Sequence, residues 1–302
     1  HDMKSIFYFF FIFLCFNNLH SDDLDFSFQD HSNVILLNES KLIKFEGDYF
    51  LGIKINLKDK WKTYWKNPGD SGAPIQVYLK TEDSENILKE LLFPVPNRYF
   101  ESEIETLGYE KQVVFLAKIT KLDDSNIHKT MLTMDYLVCK EICIPVTVSK
   151  EINLDFKKAE SGLLNEDFFN AFKKIPDKNN KVFKIIKIDQ KNSKEIVVHI
   201  ETNRTLEQKK LGIFNYSPEL SLKNTHSLSD DLIRVNIKSD ERISSNNKVE
   251  LLITDGVVAE ELMLNFEKSN VETPLLKMMI FAFLGGIILN FMPCVLPVIS
   301  IK

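Results

Sequence analysis

The segment Met131–Val148 constrains the fold most, because two apolar-alternating runs flank the sequence Cys-Lys-Glu-Ile-Cys. If residues 140–142 reverse the chain, Cys139 lies opposite Cys143. One sheet face then carries only apolar pairs, which are Val138 with Ile144, Tyr136 with Val146 and Met134 with Val148. The other face carries Leu137 with Pro145, Asp135 with Thr147 and Thr133 with Ser149. Because a slip of one residue would exchange the faces, this sorting predicts an antiparallel hairpin in that register.

The hairpin brings the two cysteines within bonding range, on its more polar face. Directly opposed residues lie about 4.5–5.5 Å apart at Cα, which suits a disulfide, whereas a continuous strand would separate them by about 13 Å. A three-residue hairpin loop usually has Gly at its left-handed position, and residues 140–142 contain none. The turn is therefore predicted to be strained, or longer than three residues.

The spacing alone leaves three interpretations of Cys139 and Cys143. The first is an ordinary structural disulfide of an extracytoplasmic protein. The second is thiol–disulfide exchange, since a bridge that closes so short a loop stabilises the fold little and lies within reach of a partner thiol. The third is a soft-metal site, because thiolates suit copper(I).

Composition narrows the function classes. The chain has 302 residues, 44% apolar and 27% charged, which is typical of globular domains. Its formal net charge of −5 gives no support to nucleic-acid binding, so no nucleic-acid partner is expected. The six histidines lack metal-ligand spacing, and neither a phosphate loop nor a dinucleotide fingerprint is present, so no cofactor is expected.

The region between the chain ends reads mainly as β-structure. Alternation over residues 49–57 predicts a strand with Tyr49, Leu51, Ile53, Ile55 and Leu57 on one face. Residues 68–74 form a turn cluster, and strands are predicted at 113–119 and within 131–148. Such short strands with irregular connections predict an antiparallel sandwich.

A short helix is predicted over residues 165–174, between two β-rich regions. Leu164, Phe168, Phe169 and Phe172 fall on one side of it. Further strands are predicted at 194–201, 232–238 and 249–254. This second region carries neither a cysteine nor a catalytic constellation and is interpreted as a spacer or docking module.

Both chain ends are apolar. Lys4 followed by the run Ile6–Phe16 predicts a signal peptide over residues 1–21, with an uncleaved anchor as the alternative. Met278–Ile299 carries no charge and is long enough to predict a transmembrane helix. Pro293 and Pro297 would break this helix around Cys294, so it requires partner helices and the chain is expected to be truncated.

Three motifs resemble the DsbD-like thiol:disulfide reductases, particularly their ScsB-like branch. They are Lys62–Gly72 (KTYWKNPGDSG) followed by Gly108–Glu110 (GYE), Val138–Pro145 (VCKEICIP) and Asn290–Pro297 (NFMPCVLP). The likeness covers roughly residues 40–157 and 275–302. The resemblance implies a mainly β chain with an immunoglobulin-like antiparallel sandwich at 22–157, a second β-rich domain at 158–270 and the first transmembrane helix at 271–302.

The resemblance also implies a function and a location. Members of the family carry reducing equivalents from cytoplasmic thioredoxin across the inner membrane to periplasmic thiol proteins. Cys139 and Cys143 would be the periplasmic exchange pair, and Cys294 would be one half of a membrane pair. Residues 22–270 would then lie in the bacterial periplasm, and the chain would be an incomplete protein-disulfide reductase.

Two alternatives stay open beside this one. The sandwiches could be a non-catalytic docking module with a structural bridge, or the reduced cysteines could bind copper(I). Tyr64, Trp65 and Tyr109 could shield the cysteines or could be core residues. Asp70 is interpreted as a turn residue rather than an acid–base group.

Overall fold

The computed structural model describes residues 24–28, 31–83, 85–101, 103–123, 127–161, 165–265 and 275–290. Within these residues the chain forms two successive pairs of β-sheets. The strands of the first pair are β1 (Leu24–Phe28), β2 (Ser32–Leu36), β3 (Ile43–Phe45), β4 (Asp48–Leu57), β5 (Lys62–Gly69), β6 (Gln76–Thr81), β7 (Leu88–Leu92), β8 (Asn97–Glu101), β9 (Ile104–Glu110), β10 (Gln112–Ile119), β11 (His128–Cys139), β12 (Cys143–Leu154) and β13 (Glu160–Ser161). Those of the second pair are β14 (Phe183–Asn192), β15 (Glu195–Thr202), β16 (Gly212–Tyr216), β17 (Leu222–Ser229), β18 (Leu232–Ser239), β19 (Val249–Thr254) and β20 (Ala259–Leu264). The α-helices are α1 (Glu166–Phe172) and α2 (Leu275–Asn290), and a 3-10 helix spans Leu37–Ser40.

The first pair of sheets, named the first sandwich, encloses one core. One sheet has the order β1-β2-β4-β10-β7, with β3 beside β4 and β13 beside β3, and the other has the order β12-β11-β5-β9-β8, with β6 beside β11. Their facing side chains form one hydrophobic cluster that includes all five alternating residues predicted on β4. The predicted mainly β, immunoglobulin-like class is thus confirmed for this part of the chain.

The hairpin β11–β12 has the predicted register. Its ladder runs from His128 opposite Leu154 to Cys139 opposite Cys143 without interruption. Val138, Met134 and Tyr136 are buried, as the apolar face requires. The alternation of side chains therefore determines the pairing of these two strands.

The second pair of sheets, named the second sandwich, has the orders β14-β15-β18-β17 and β16-β19-β20. Ile233, Val235 and Ile237 of β18 are fully buried, whereas their neighbours along the strand are more exposed. The core of this sandwich is a separate hydrophobic cluster built from both of its sheets. The predicted domain boundaries at 157 and 270 stay predictions.

Helix α1 packs on the outer face of the first sandwich. Asn165 caps it, because its side-chain oxygen accepts a hydrogen bond from the backbone N–H of Phe168. Phe168 is fully buried against β4, whereas Phe169 remains 39% exposed, unlike the single apolar side that the sequence predicts. A Cβ at Gly52 would lie 2.9 Å from Phe168 Cζ, so the absence of a side chain there lets the helix approach the sheet.

The two sandwiches are joined by an aromatic and ionic interface. The Trp65 ring meets the rings of Phe214 and Tyr216 at centroid distances of 6.0 and 6.5 Å. Beside them, Lys66 Nζ lies 2.5 Å from a carboxylate oxygen of Glu250 and 2.8 Å from one of Glu261. Burial alone would lower the pKa of Lys66, but the carboxylates of Glu261 and Glu250 outweigh it and raise that pKa above its usual value.

Strand β20 also holds the linker between the sandwiches. The Glu260 side chain is 1% exposed and accepts hydrogen bonds of 2.9–3.2 Å from the backbone N–H groups of residues 181–183. The linker residue Asp177 forms backbone hydrogen bonds with Ala259 and Glu261, each of 2.8 Å. The start of the second sandwich is therefore fixed to β20.

The structure does not support the predicted transmembrane helix over residues 278–299. In the described part of the chain, α2 covers the 16 residues Leu275–Asn290. No helix among the described residues is both long and apolar enough to cross a membrane. The predicted signal peptide at 1–21 and Cys294 lie outside the described residues.

Candidate functional site

A disulfide joins Cys139 and Cys143 at the turn of the β11–β12 hairpin, with their Cα atoms 4.1 Å apart. The two sulfurs belong to residues of very different exposure. Cys139 is 2% exposed, since its strand also pairs with β5 through Lys62, whereas Cys143 is exposed. The sequence predicts both cysteines on a more polar face. The structure differs in that Cys139 is buried, because the neighbouring strand β5 covers it.

The turn itself is not strained in the way that the sequence suggests. None of residues 140–142, all of which the structure describes, has a positive φ. The backbone N–H of Lys140 instead donates to the carbonyl oxygen of Ile142 at 3.1 Å. The hairpin therefore needs no glycine, and Lys140, Glu141 and Ile142 are all exposed around Cys143.

Tyr64 is the side chain whose polar group touches the disulfide. Its hydroxyl oxygen lies 3.6 Å from Cys143 Sγ, and because a disulfide sulfur carries no hydrogen, the hydroxyl is the donor. The ring is 2% exposed, and burial followed by the charge of Glu101 raises the pKa of Tyr64. The hydroxyl therefore keeps its proton at neutral pH and can donate a hydrogen bond to a thiolate at Cys143.

A glycine loop packs on the ring of Tyr64. The loop of residues 69–74, named the Gly72 loop, approaches so closely that a Cβ at Gly72 would lie 2.4 Å from ring atoms Cε1 and Cζ. Gly72 has φ +107°, a conformation that L side chains rarely adopt. Both the φ angle and the close approach require glycine, so this residue keeps the loop against the ring.

A buried lysine lies next to Tyr64 on the same strand. The Lys62 side chain is 5% exposed, and its Nζ contacts Glu101 Oε1 at 2.5 Å. The same Nζ lies 5.7 Å from the centroid of the Tyr99 ring. This ion pair anchors the β8–β9 hairpin beside Tyr64. The sequence does not indicate it, because Lys62 and Glu101 lie far apart in the chain and are brought together only by the order of strands in the sheet.

The other predicted residues lie away from the sulfurs. Trp65 packs between the sandwiches, and the hydroxyl of the buried Tyr109 donates to the carbonyl oxygen of Pro94 at 2.7 Å. Burial raises the pKa of Tyr109 well above its ordinary value. Of the three aromatic residues considered as a shield, Tyr64 is thus the one placed at the disulfide.

Asp70 belongs to the Gly72 loop, as predicted, but it also has partners outside the turn. Its Oδ2 accepts a hydrogen bond from the backbone N–H of Glu105 at 3.1 Å, and its Oδ1 lies 2.9 Å from Lys223 Nζ of the second sandwich. The hydrogen bond from Lys223, followed by that from Glu105, lowers the pKa of Asp70.

A metal centre finds no support in the described part of the chain. No group of three or more His, Cys, Asp or Glu residues there could hold a metal ion. In the disulfide form the two sulfurs are bonded to each other, so a thiolate site would exist only after reduction.

The first sandwich matches a known family. Residues 36–154 match the family described as "Thiol:disulfide interchange protein DsbD, N-terminal", a range that includes Tyr64, Cys139 and Cys143. A search of curated proteins found no match.

One solved structure shows the same fold over both sandwiches. The N-terminal periplasmic domain of ScsB from Proteus mirabilis aligns with a TM-score of 0.63 and 19% identity, over 82% of this chain and 98% of that one. Tandem immunoglobulin domains of titin align over 78% of this chain and 96% of that one, but with a TM-score of only 0.19 and 7% identity. Residues 36–154 therefore form a DsbD N-terminal domain of the thiol:disulfide interchange family, and the two sandwiches have the fold of the ScsB N-terminal periplasmic domain.

Proposed function

We propose that this chain is the periplasmic receiving part of a membrane-linked thiol:disulfide reductase, and that Cys139 and Cys143 exchange electrons with periplasmic thiol proteins. The observation that carries the proposal is the unequal exposure of the two sulfur-bearing residues. Cys143 can be reached by another protein, whereas Cys139 is covered by its neighbours. A structural bridge has no need of this asymmetry, but an exchange reaction does.

The exchange has a defined order in this geometry. A thiolate of the reducing partner attacks the exposed sulfur of Cys143, the Cys139–Cys143 bond breaks, and Cys139 leaves as a thiolate that takes up a proton. A second thiol of that partner then attacks the mixed disulfide and releases both cysteines in the reduced form. The two electrons of the partner dithiol now reside in the Cys139–Cys143 pair.

Delivery to a client runs through the same sulfur. The Cys143 thiolate attacks a client disulfide, forms a mixed disulfide and expels one client thiol. Cys139 then attacks Cys143, which restores the bridge and releases the second client thiol. The Tyr64 hydroxyl, which lies beside Cys143 Sγ, would stabilise the attacking thiolate by donating a hydrogen bond.

The wider route follows the family. In our proposal, cytoplasmic thioredoxin supplies the electrons, a pair that includes Cys294 relays them at the inner membrane, and Cys139–Cys143 receives them. Within this family, the chain would belong to the ScsB-like branch of the reductases. The support for this route is the motif around Cys294 and the family of residues 36–154.

The reduction potential of the Cys139–Cys143 pair tests the proposal. The full chain is equilibrated in thiol redox buffers, and mass-resolved alkylation reports the state of these two cysteines. We expect a value between about −180 and −270 mV, among exchange-active proteins. A value below about −300 mV would identify a resistant structural bridge and would support the docking-module alternative.

Two further measurements separate the alternatives. Cys143→Ser should abolish reduction of a disulfide-bonded client while leaving client docking intact. Copper(I) titration of the reduced chain tests the metal-binding alternative, because a thiolate site would bind one ion per Cys139–Cys143 pair.

A further inference from the structure

We infer that the second sandwich contributes positioning residues to the disulfide, since it holds the Gly72 loop and thereby the hydroxyl of Tyr64 on Cys143. This inference rests on the proposed function and assigns a part in it to residues beyond the matched family range. It concerns a continuous series of contacts that begins at strands β16 and β17 and ends at Cys143 Sγ.

The series begins with two contacts across the interface. Asn67 Nδ2 donates to the carbonyl oxygen of Asn215 at 2.6 Å, and Asp70 contacts Lys223 Nζ at 2.9 Å. Asn67 also accepts a hydrogen bond from the backbone N–H of Gly69 at 3.0 Å. The turn of residues 67–70, which leads into the Gly72 loop, is therefore tied to the second sandwich at both of its ends.

The anchoring points on the second sandwich are themselves fixed. Asn215 is 3% exposed, and its Nδ2 donates to the carbonyl oxygen of Leu222 at 2.9 Å. The side chain of Asn224 donates to Asn215 Oδ1. Lys223 lies between Leu222 and Asn224 on β17, and both of these residues bind Asn215 of β16. Strand β17 therefore fixes both points at which the loop is attached.

The loop passes this constraint to the sulfur through Tyr64. Gly72 lies directly on the Tyr64 ring, with too little space for a methyl group between them. The hydroxyl of the same ring contacts Cys143 Sγ at 3.6 Å. A loop that is released from the second sandwich would free the ring to move, and the hydroxyl would leave the sulfur for part of the time.

The measurable consequence is the pKa of the Cys143 thiol in the reduced protein. A hydrogen bond to the thiolate lowers the pKa, so loss of the bond raises it. Tyr64→Phe should raise the pKa by about one unit, because this variant removes the donor. Lys223→Gln and Asn67→Ala should each raise it by about 0.3–0.5 unit, since they loosen the loop without removing the hydroxyl.

The controls separate positioning from a general effect of charge. Lys223→Arg keeps the ion pair and should restore the wild-type pKa. Lys210→Gln removes an exposed lysine that pairs within the second sandwich, with Glu207, and should leave the pKa unchanged. In a double variant with Tyr64→Phe, Lys223→Gln should cause no further rise, whereas a direct electrostatic effect of Lys223 on the thiolate would persist.

The experiment uses the full chain, reduced, with the alkylation rate of Cys143 followed against pH by peptide-resolved mass spectrometry. A wild-type pKa in both Lys223→Gln and Asn67→Ala, with a raised pKa in Tyr64→Phe, would overturn the inference and leave the proposed function standing. An unchanged pKa in Tyr64→Phe would overturn it as well, at its last step. Failure of the proposed function appears separately, as a reduction potential below about −300 mV.

Discussion

Gly72→Ala should lower the free energy of unfolding more than the same substitution at Gly47, which also has a positive φ. The new Cβ would lie 2.4 Å from Cε1 and Cζ of Tyr64 and 2.7 Å from Cδ1. Carbon atoms in contact are about 3.5–4.0 Å apart, so the overlap exceeds about 1 Å. Because the ring is 2% exposed and packed in the sheet, the loop has to move rather than the ring.

The expected cost has two parts. A positive φ in a residue with a Cβ costs about 1–2 kcal/mol, and overpacking of this kind costs about 1–3 kcal/mol. Gly72→Ala should thus lower the free energy of unfolding by about 2–5 kcal/mol. Gly47 has φ +88° and a Cβ there would meet nothing within 4 Å, so Gly47→Ala carries only the first part, about 1–2 kcal/mol.

Urea unfolding of the two variants, in the oxidised and in the reduced form, measures this difference. Alkylation of the reduced proteins against pH should also show a raised pKa of the Cys143 thiol in Gly72→Ala alone, because the displaced loop no longer holds the Tyr64 hydroxyl in place. Equal losses of stability in the two variants, together with equal Cys143 pKa values, would refute the packing of the loop on Tyr64 and its effect on the sulfur.

Three further predictions concern the bridge, the loop and the interface. Reduction of Cys139–Cys143 should lower the free energy of unfolding by about 2 kcal/mol, since the bridge closes only a short loop, and urea unfolding in both redox states measures it. NMR titration should show a pKa of the Asp70 carboxyl below its ordinary value, and Lys223→Gln should return this pKa towards that value. The contribution of Asp70 to stability is therefore present at pH values above the ordinary pKa and is lost as the pH falls through the lowered pKa. Lys66→Met should lower stability by about 3 kcal/mol, because the partly buried carboxylate of Glu250 loses its cation and that of Glu261 keeps only the more distant Lys178. Lys210→Gln, on the surface, should change thermal unfolding little.

The sequence was sufficient for the hairpin but not for its surroundings. Alternation from Met131 to Val148 specifies which residues share a face, and period-two patterns leave one register that satisfies both faces. The pattern does not report which other strand lies beside the hairpin. Cys139 is buried because Lys62 of β5 pairs with it, and that contact joins residues far apart in sequence.

The same limit explains the aromatic residues. Tyr64, Trp65 and Tyr109 are all large aromatic residues and all are buried. The sequence therefore could not distinguish a side chain that contacts the sulfur from one that only fills the core. Tyr64 and Trp65 are neighbours on one strand and point to opposite faces, one to Cys143 and the other to the second sandwich. Two adjacent residues thus serve the site and the interface.

Strand β20 connects the linker, the first sandwich and the second sandwich within three residues. Glu260 binds the linker backbone, Ala259 and Glu261 bind Asp177, and the Glu261 side chain reaches Lys66 of the first sandwich. Rotation of one sandwich against the other would have to break these contacts together, because consecutive residues of a rigid strand cannot move independently. The tandem should consequently scatter X-rays as one particle of fixed shape, and an exchange partner would meet Cys143 at one orientation relative to β20, the strand from which the chain continues towards α2.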